Sequence, residues 1–159
     1  MKITIVCVGK VKEKYLRDAI AEYEKRLSRY CKLQVIEVAD EKTPDGVSTV
    51  VEDQIREKEA ERILKNLRLD DPVVTLEIEG KQMDSVAFAQ KIEQMGVEGV
   101  SHIQFVIGGS LGLHEKVSKV SGWKLSFSRM TFPHQLMRVI LLEQIYRGYR
   151  IINGEPYHK

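Results

Sequence analysis

At 159 residues and 18.3 kDa, with 43% hydrophobic and 30% charged side chains, the chain is long enough to bury one full core and too short for two comfortable ones, so a single domain over 1–159 is expected. A formal net charge of +2 excludes a partner selected by bulk charge alone, and two cysteines without a C-x-x-C pair exclude a disulfide scaffold and a thiolate metal site. The six-residue apolar run Ile3–Val8 ends at Gly9-Lys10 without a small-residue cleavage site, and nothing approaches the length of a membrane span, so a cytoplasmic protein is expected.

In chain order, Ile3 to Val8 is nearly continuously apolar and β-branched, the pattern of a strand covered on both faces. Leu16, Ile20, Tyr23, Leu27 and Tyr30 then recur at helical spacing between charges, which predicts an amphipathic helix. Leu33 to Val38 predicts a second strand, Asp40 to Gly46 a polar loop, and Val51, Ile55, Ile63 and Leu67 a long charged helix. Pro72 opens a third strand, Val73 to Ile78, which Gly80 is expected to break. Asp84 or Ser85 suits the cap of a helix whose Phe88, Ile92 and Met95 share one face, with Gly96 at its stop. Ile103–Ile107 and Lys124–Phe127 predict the last two strands, with a short helix over Leu113–Val120 between them. A final helix begins with Pro133 in its first turn and runs to about Tyr149. Strands alternating with helices in this way predict an α/β fold, a mostly parallel sheet with helices on both faces.

Open parallel sheets bind ligands beyond the carboxyl ends of their strands, so the candidate pocket follows Leu76, Ile107-Gly108-Gly109 and Phe127-Ser128. The glycines at 108, 109 and 112 have neither the position of a dinucleotide fingerprint nor the spelling of a P-loop, and a tight strand-to-helix turn would also account for them. No metal is expected, because no two of the four histidines pair at i, i+4. Gly108-Gly109-Ser110-Leu111-Gly112 spells G-x-S-x-G, but neither Ser110 nor Ser128 has an evident base in the sequence, so a hydrolase nucleophile is disfavoured. His102 reads as structural, and His114 and His134 as helix-start residues. At the terminus, Pro156-Tyr157-His158-Lys159 gathers an aromatic, an imidazole and a cation with no core to serve, although composition alone is also consistent with a frayed tail.

Taken together, Ile107 to Gly112, Leu125 to Leu136, Glu143-Gln144-Ile145-Tyr146-Arg147 and the terminal Pro156-Tyr157-His158-Lys159 make the chain resemble, over its whole length, the RlmH family of small SPOUT-class 23S rRNA methyltransferases. The resemblance implies a SPOUT-type fold with a C-terminal trefoil knot, a homodimer, and S-adenosylmethionine as methyl donor to N3 of a pseudouridine in helix 69; the modest net charge, a weak clamp for naked RNA, adds the expectation that the substrate is the assembled ribosome. Carried onto matching positions, it implies a cofactor held by Leu76, Gly108, Phe127, Ser128, Arg129, Met130, Thr131 and Phe132. It also implies an RNA-facing group of Arg147, Tyr157, His158 and Lys159. From the chemistry of the imide, His158 would take its proton, Tyr157 would stack on the base, and Arg129, Arg147 or Lys159 would stabilise charge. Two other readings remain to be weighed: a noncatalytic ribosome- or RNA-binding module with a vestigial pocket, and a nicotinamide-dependent oxidoreductase, which the missing fingerprint after the first strand weakens.

Overall fold

A computed structural model describes residues 1–159 and contains ten elements: β1 (Lys2–Val8), α1 (Lys14–Leu27), β2 (Lys32–Val38), α2 (Thr49–Lys65), β3 (Val73–Gln82), α3 (Ser85–Val97), β4 (His102–Ile107), α4 (Glu115–Ser118), β5 (Trp123–Ser126) and α5 (His134–Ile152). The five strands form one sheet in the order β2-β1-β4-β3-β5, every neighbouring pair parallel. The central strands β1 and β4 are buried along almost their whole length, as continuous apolar runs require when both faces are covered.

Alternation along those strands divides the interior in two. Ile3, Ile5 and Cys7 face a large core shared with Phe88, Phe105, Leu141 and Ile145, beneath α1, α3 and α5. Val6, Val8 and Val106 face a smaller core with Ile63 of α2 and Val117 of α4. Burial pushes the Cys7 and Cys31 thiols up to about 11, so both behave as inert apolar groups. His102 bridges Thr4 at 2.7 Å and Asp71 at 2.8 Å, tying the start of β4 to β1 and to the α2–β3 loop.

Several boundaries differ from the sequence-based expectation. Gly80 does not end β3: the pairing with β5 shifts between Leu76 and Lys81, then resumes opposite Leu125 and Ser126. A side chain at Gly80 would come within 2.7 Å of the Lys124 carbonyl oxygen, so glycine there permits close approach of two backbones. Helix α3 is capped by Asp84, whose carboxylate accepts from the Ala87 amide at 2.7 Å. It runs through Gly96, and the chain turns away at Gly99, where φ is +94°. Tyr30 lies in the turn after α1, α4 is a single turn capped by His114, and α5 continues past Tyr149 to Ile152 with Pro133 at its N-cap rather than in its first turn. No helix is long and apolar enough to cross a membrane.

Candidate functional site

A cavity of about 750 Å³ opens beyond the carboxyl ends of β3, β4 and β5, closed on one side by the start of α5. Its walls are mostly apolar, among them Leu76, Leu113, Phe127, Phe132 and Met137, with main chain from two loops between them. Both loops are held in shape by bonds of their own. After β4, the Gly112 amide donates to the Gly109 carbonyl at 3.0 Å and Gly112 adopts φ +81°. A Cβ at Gly108 would lie 2.8 Å from the Gly112 carbonyl carbon, so the bare backbone at 108 is required by the loop's own fold. After β5, the Ser126 hydroxyl donates to the Ser128 carbonyl at 3.1 Å, and the Met130 amide donates to the Ser128 hydroxyl at 2.9 Å.

Leu76, Gly108, Phe127, Ser128, Met130, Thr131 and Phe132 all line this cavity. Arg129, the remaining residue of the expected set, does not: its side chain is exposed and makes no ion pair or hydrogen bond within the chain. Met130 is 74% exposed, which places this loop at the mouth of the cavity. Two ionisable residues that sequence reasoning passed over also stand on the wall. Glu77 follows Leu76 on β3, where a strand-end acid reads as a solvated residue. His134, read as a helix-start residue, has a buried Nδ1 without a hydrogen-bond partner. Burial, reinforced by the neighbouring Arg138 guanidinium, lowers its pKa and keeps the ring neutral.

Arg138 is only 3% exposed and fixes α5 against the sheet. Its guanidinium donates to the Glu37 carboxylate at 2.6 Å and to the Val8 and Gly9 carbonyls at 3.1 and 2.6 Å, stapling the end of β1 and the edge of β2 to the helix one turn beyond His134.

The terminal residues form a second cluster, folded onto the far part of α5 rather than frayed. Glu143 takes both Nε and Nη2 of Arg147, at 3.1 and 2.9 Å, and also the Tyr157 hydroxyl at 2.8 Å. The Tyr157 ring stands edge-on to Tyr146, 5.0 Å between centroids, and lies under the Arg147 guanidinium at 4.6 Å. Arg150 pairs with Glu155 at 3.0 Å and donates to the Pro156 carbonyl at 3.0 Å. Burial, followed by the bond to Glu143, pushes the Tyr157 phenol up to about 12, so it is not a base at neutral pH. Arg147 Nη1 lies 3.2 Å from His158 Nδ1. A guanidinium only donates, so Nδ1 accepts and the imidazole carries its hydrogen on Nε2. His158 and Lys159 are exposed.

The expected site residues therefore fall into two groups, and within one chain they do not meet. Met137 at the cavity and Arg147 at the tail cluster lie ten residues apart on α5, about 15 Å along a straight helix.

A family model described as a predicted SPOUT methyltransferase matches residues 1–158. Proteins from Bifidobacterium adolescentis and Clostridium tetani, both named ribosomal RNA large subunit methyltransferase H, are 65% and 60% identical over 159 residues, covering all of this chain and all of each relative. Among solved structures, a probable methylase family protein from Haemophilus influenzae superposes with a TM-score of 0.56 at 17% identity, over 99% of this chain and 70% of that one, a likeness of fold.

Proposed function

This chain belongs to the SPOUT methyltransferase family, and on that premise we propose that it is an S-adenosylmethionine-dependent methyltransferase of large-subunit ribosomal RNA, acting in the cytoplasm on N3 of a pseudouridine. The observation that carries the reading is the cavity at the three strand ends. Its volume lies in the range of cofactor pockets, its walls are apolar enough for an adenosyl group, and the main chain of residues 127–132, apart from the Ser128 carbonyl and Met130 amide that the loop itself uses, can meet a purine edge without charged side chains. When bound, the cofactor supplies an activated methyl group for in-line transfer. The protein's part is to hold donor and acceptor in line and exclude water, which needs no covalent intermediate.

The acceptor nitrogen lies between two carbonyls, so it becomes nucleophilic as its proton leaves and the resulting anion is stabilised. In the docked tail His158 Nδ1 is occupied by Arg147, which leaves Nε2–H to donate to an imide carbonyl, while Arg147 and Lys159 contribute positive potential and the proton passes to water. This assigns His158 the role of a donor rather than of the base. It also leaves Tyr157 as the residue that orders the tail, since its hydroxyl is engaged by Glu143 and its ring by Tyr146 and Arg147.

Because cavity and tail lie far apart in one chain, we infer that the working unit is a homodimer in which the tail of one copy serves the cavity of the other. Leu136, Val139 and Ile140 support this: they lie half-buried on α5 and outside both cores, as residues of an interface would. We also infer the knotted C-terminal segment from family membership alone.

A mixing experiment tests the composite site. Leu76→Arg, which blocks the cavity, and His158→Ala, which removes the tail donor, should each lose at least tenfold in single-turnover methylation of ribosomes. Mixed and re-equilibrated, they should recover activity in dimers that keep one intact cavity and one intact tail, with N3-methylpseudouridine identified by nucleoside mass spectrometry. Inactive mixtures that nevertheless form mixed dimers would refute the composite site. Wild-type protein that leaves the ribosome unmethylated while binding it would favour the noncatalytic reading.

A further inference from the structure

We infer that Glu77 selects the charged methyl donor over its demethylated product, by presenting a pre-oriented carboxylate to the donor's cationic end in a cavity that holds no other formal charge. This deepens the reading of the cavity as an S-adenosylmethionine site and rests on it.

No lysine, arginine or aspartate lines the cavity, and Glu77 is its only carboxylate. His134 is the other ionisable group on the wall and is held neutral by burial and by Arg138. Successive residues of β3 face opposite sides of the sheet, so Glu77 shares a side with Thr75, toward α4. There the Thr75 hydroxyl donates to Glu77 Oε2 at 2.5 Å, and the Ser118 hydroxyl lies 3.0 and 3.1 Å from Oε1 and Oε2. Thr75 is fully buried and is itself 2.8 Å from the Ser121 hydroxyl, which lies 2.9 Å from the Trp123 carbonyl. The carboxylate is thus oriented from beneath, before any ligand arrives. Two hydroxyl donors leave part of its accepting capacity unused, about four lone-pair sites being available to a carboxylate.

The donor carries an ammonium, a sulfonium and a carboxylate, hence one net positive charge. The product has lost the sulfonium charge and is neutral overall. Both ligands keep the ammonium, so an anion fixed in a mostly apolar cavity distinguishes them through the sulfonium, in the donor's favour. Other roles for Glu77 would leave different traces. A carboxylate that only held ribose hydroxyls would serve donor and product equally. One that only stapled β3 to α4 would affect unfolding and leave the preference between ligands alone.

Calorimetry on the full-length protein separates these roles. Glu77→Gln keeps size and polarity while removing the charge. It should weaken S-adenosylmethionine by about tenfold and S-adenosylhomocysteine by less than about threefold, so the preference for the donor shrinks. Equal weakening of both ligands, or an unchanged ratio, overturns the inference. Ser118→Ala keeps the charge and loosens its orientation, so it should shift the ratio in the same direction by a smaller factor. Should Glu77→Gln fail to fold, Ser118→Ala decides by itself, because an unchanged ratio in that variant then overturns the inference. Wild-type protein that binds neither ligand sinks the cofactor reading itself, whereas wild-type binding with an unaltered ratio in the variants sinks only the role of Glu77.

Discussion

Replacing Gly108 with alanine tests how the cavity wall is built. The added Cβ would lie 2.8 Å from the Gly112 carbonyl carbon, and 3.0 Å from both the Gly112 oxygen and Leu113 Cδ2. Leu113 can rotate away, but the Gly112 main chain moves only by straining or breaking its 3.0 Å bond to Gly109. Carbon atoms pack best at about 3.5–4.0 Å, so Gly112 must move by roughly 0.7 Å or more. Overpacking of this kind costs about 1–3 kcal/mol, and weakening the loop's hydrogen bond adds up to about 1 kcal/mol. We expect a loss of about 2–3 kcal/mol, which for a chain of this size lowers Tm by roughly 4–12 °C. Gly112→Ala is the informative control. A Cβ there meets nothing within 4 Å, but φ is +81°, so alanine costs about 1–2 kcal/mol of backbone strain without displacing the wall. Thermal unfolding should therefore register both variants, whereas calorimetry should show a tenfold or greater loss of S-adenosylmethionine affinity in Gly108→Ala alone. Wild-type affinity in a destabilised Gly108→Ala protein would refute the link between this packing and the cofactor site.

Two further predictions concern the base of α5. Arg138→Met keeps the length of the side chain but strips the Val8 and Gly9 carbonyls of their donor; Glu37, whose side chain is 40% exposed, can be rehydrated, and the unpartnered Arg138 Nε is removed. The balance is a loss of about 2–3 kcal/mol in urea denaturation, and a loss under about 1 kcal/mol would mean that water already reaches those carbonyls. His134 has a pKa lowered from 6.5, so the unfolded chain binds its proton more readily than the folded one. Its stabilising contribution is present in full above pH 6.5 and is lost as the pH falls from there through the lower folded-state pKa. His134→Gln should consequently lose less stability than wild type between about pH 7.5 and about pH 5.5, and parallel pH profiles would refute the assignment.

The sheet was legible because β1 and β4 are mostly apolar runs rich in isoleucine and valine, a pattern that identifies buried strands wherever they end up in the strand order. That order, β2-β1-β4-β3-β5, was not legible, since pairing depends on where each crossover helix deposits the next strand. Gly80 misled because the same residue type serves both to end a strand and to let two backbones approach, and only the 2.7 Å approach of Lys124 distinguishes the cases. The cavity loops were found from where they follow their strands, and the family resemblance that extended the set along the second loop brought in Arg129, whose side chain leaves the wall. Glu77 escaped notice for the opposite reason: its significance lies in the hydroxyls of Thr75 and Ser118 around it and in the absence of other charges, neither of which local sequence records.

Helix α5 gives these separate parts a common frame. It starts at the cavity wall with His134 and Met137, is fastened to β1 and β2 by Arg138, and near its other end presents Glu143 and Arg147 to the tail. A tail reaching the cavity of its own chain would have to give up the Tyr157–Glu143 bond, the Arg150–Glu155 pair and the Arg150 bond to Pro156, then reach back about 15 Å along the helix. Each of those interactions is modest alone, but together with the packing of Tyr157 against Tyr146 they make release several kcal/mol uphill. In the homodimer proposed above, a second copy's docked tail would reach the cavity without breaking any of them, and the contact would cover the apolar residues of α5 left outside both cores. The same contacts that hold the terminus away from its own cavity would, in that proposed dimer, deliver it already ordered to a neighbour's.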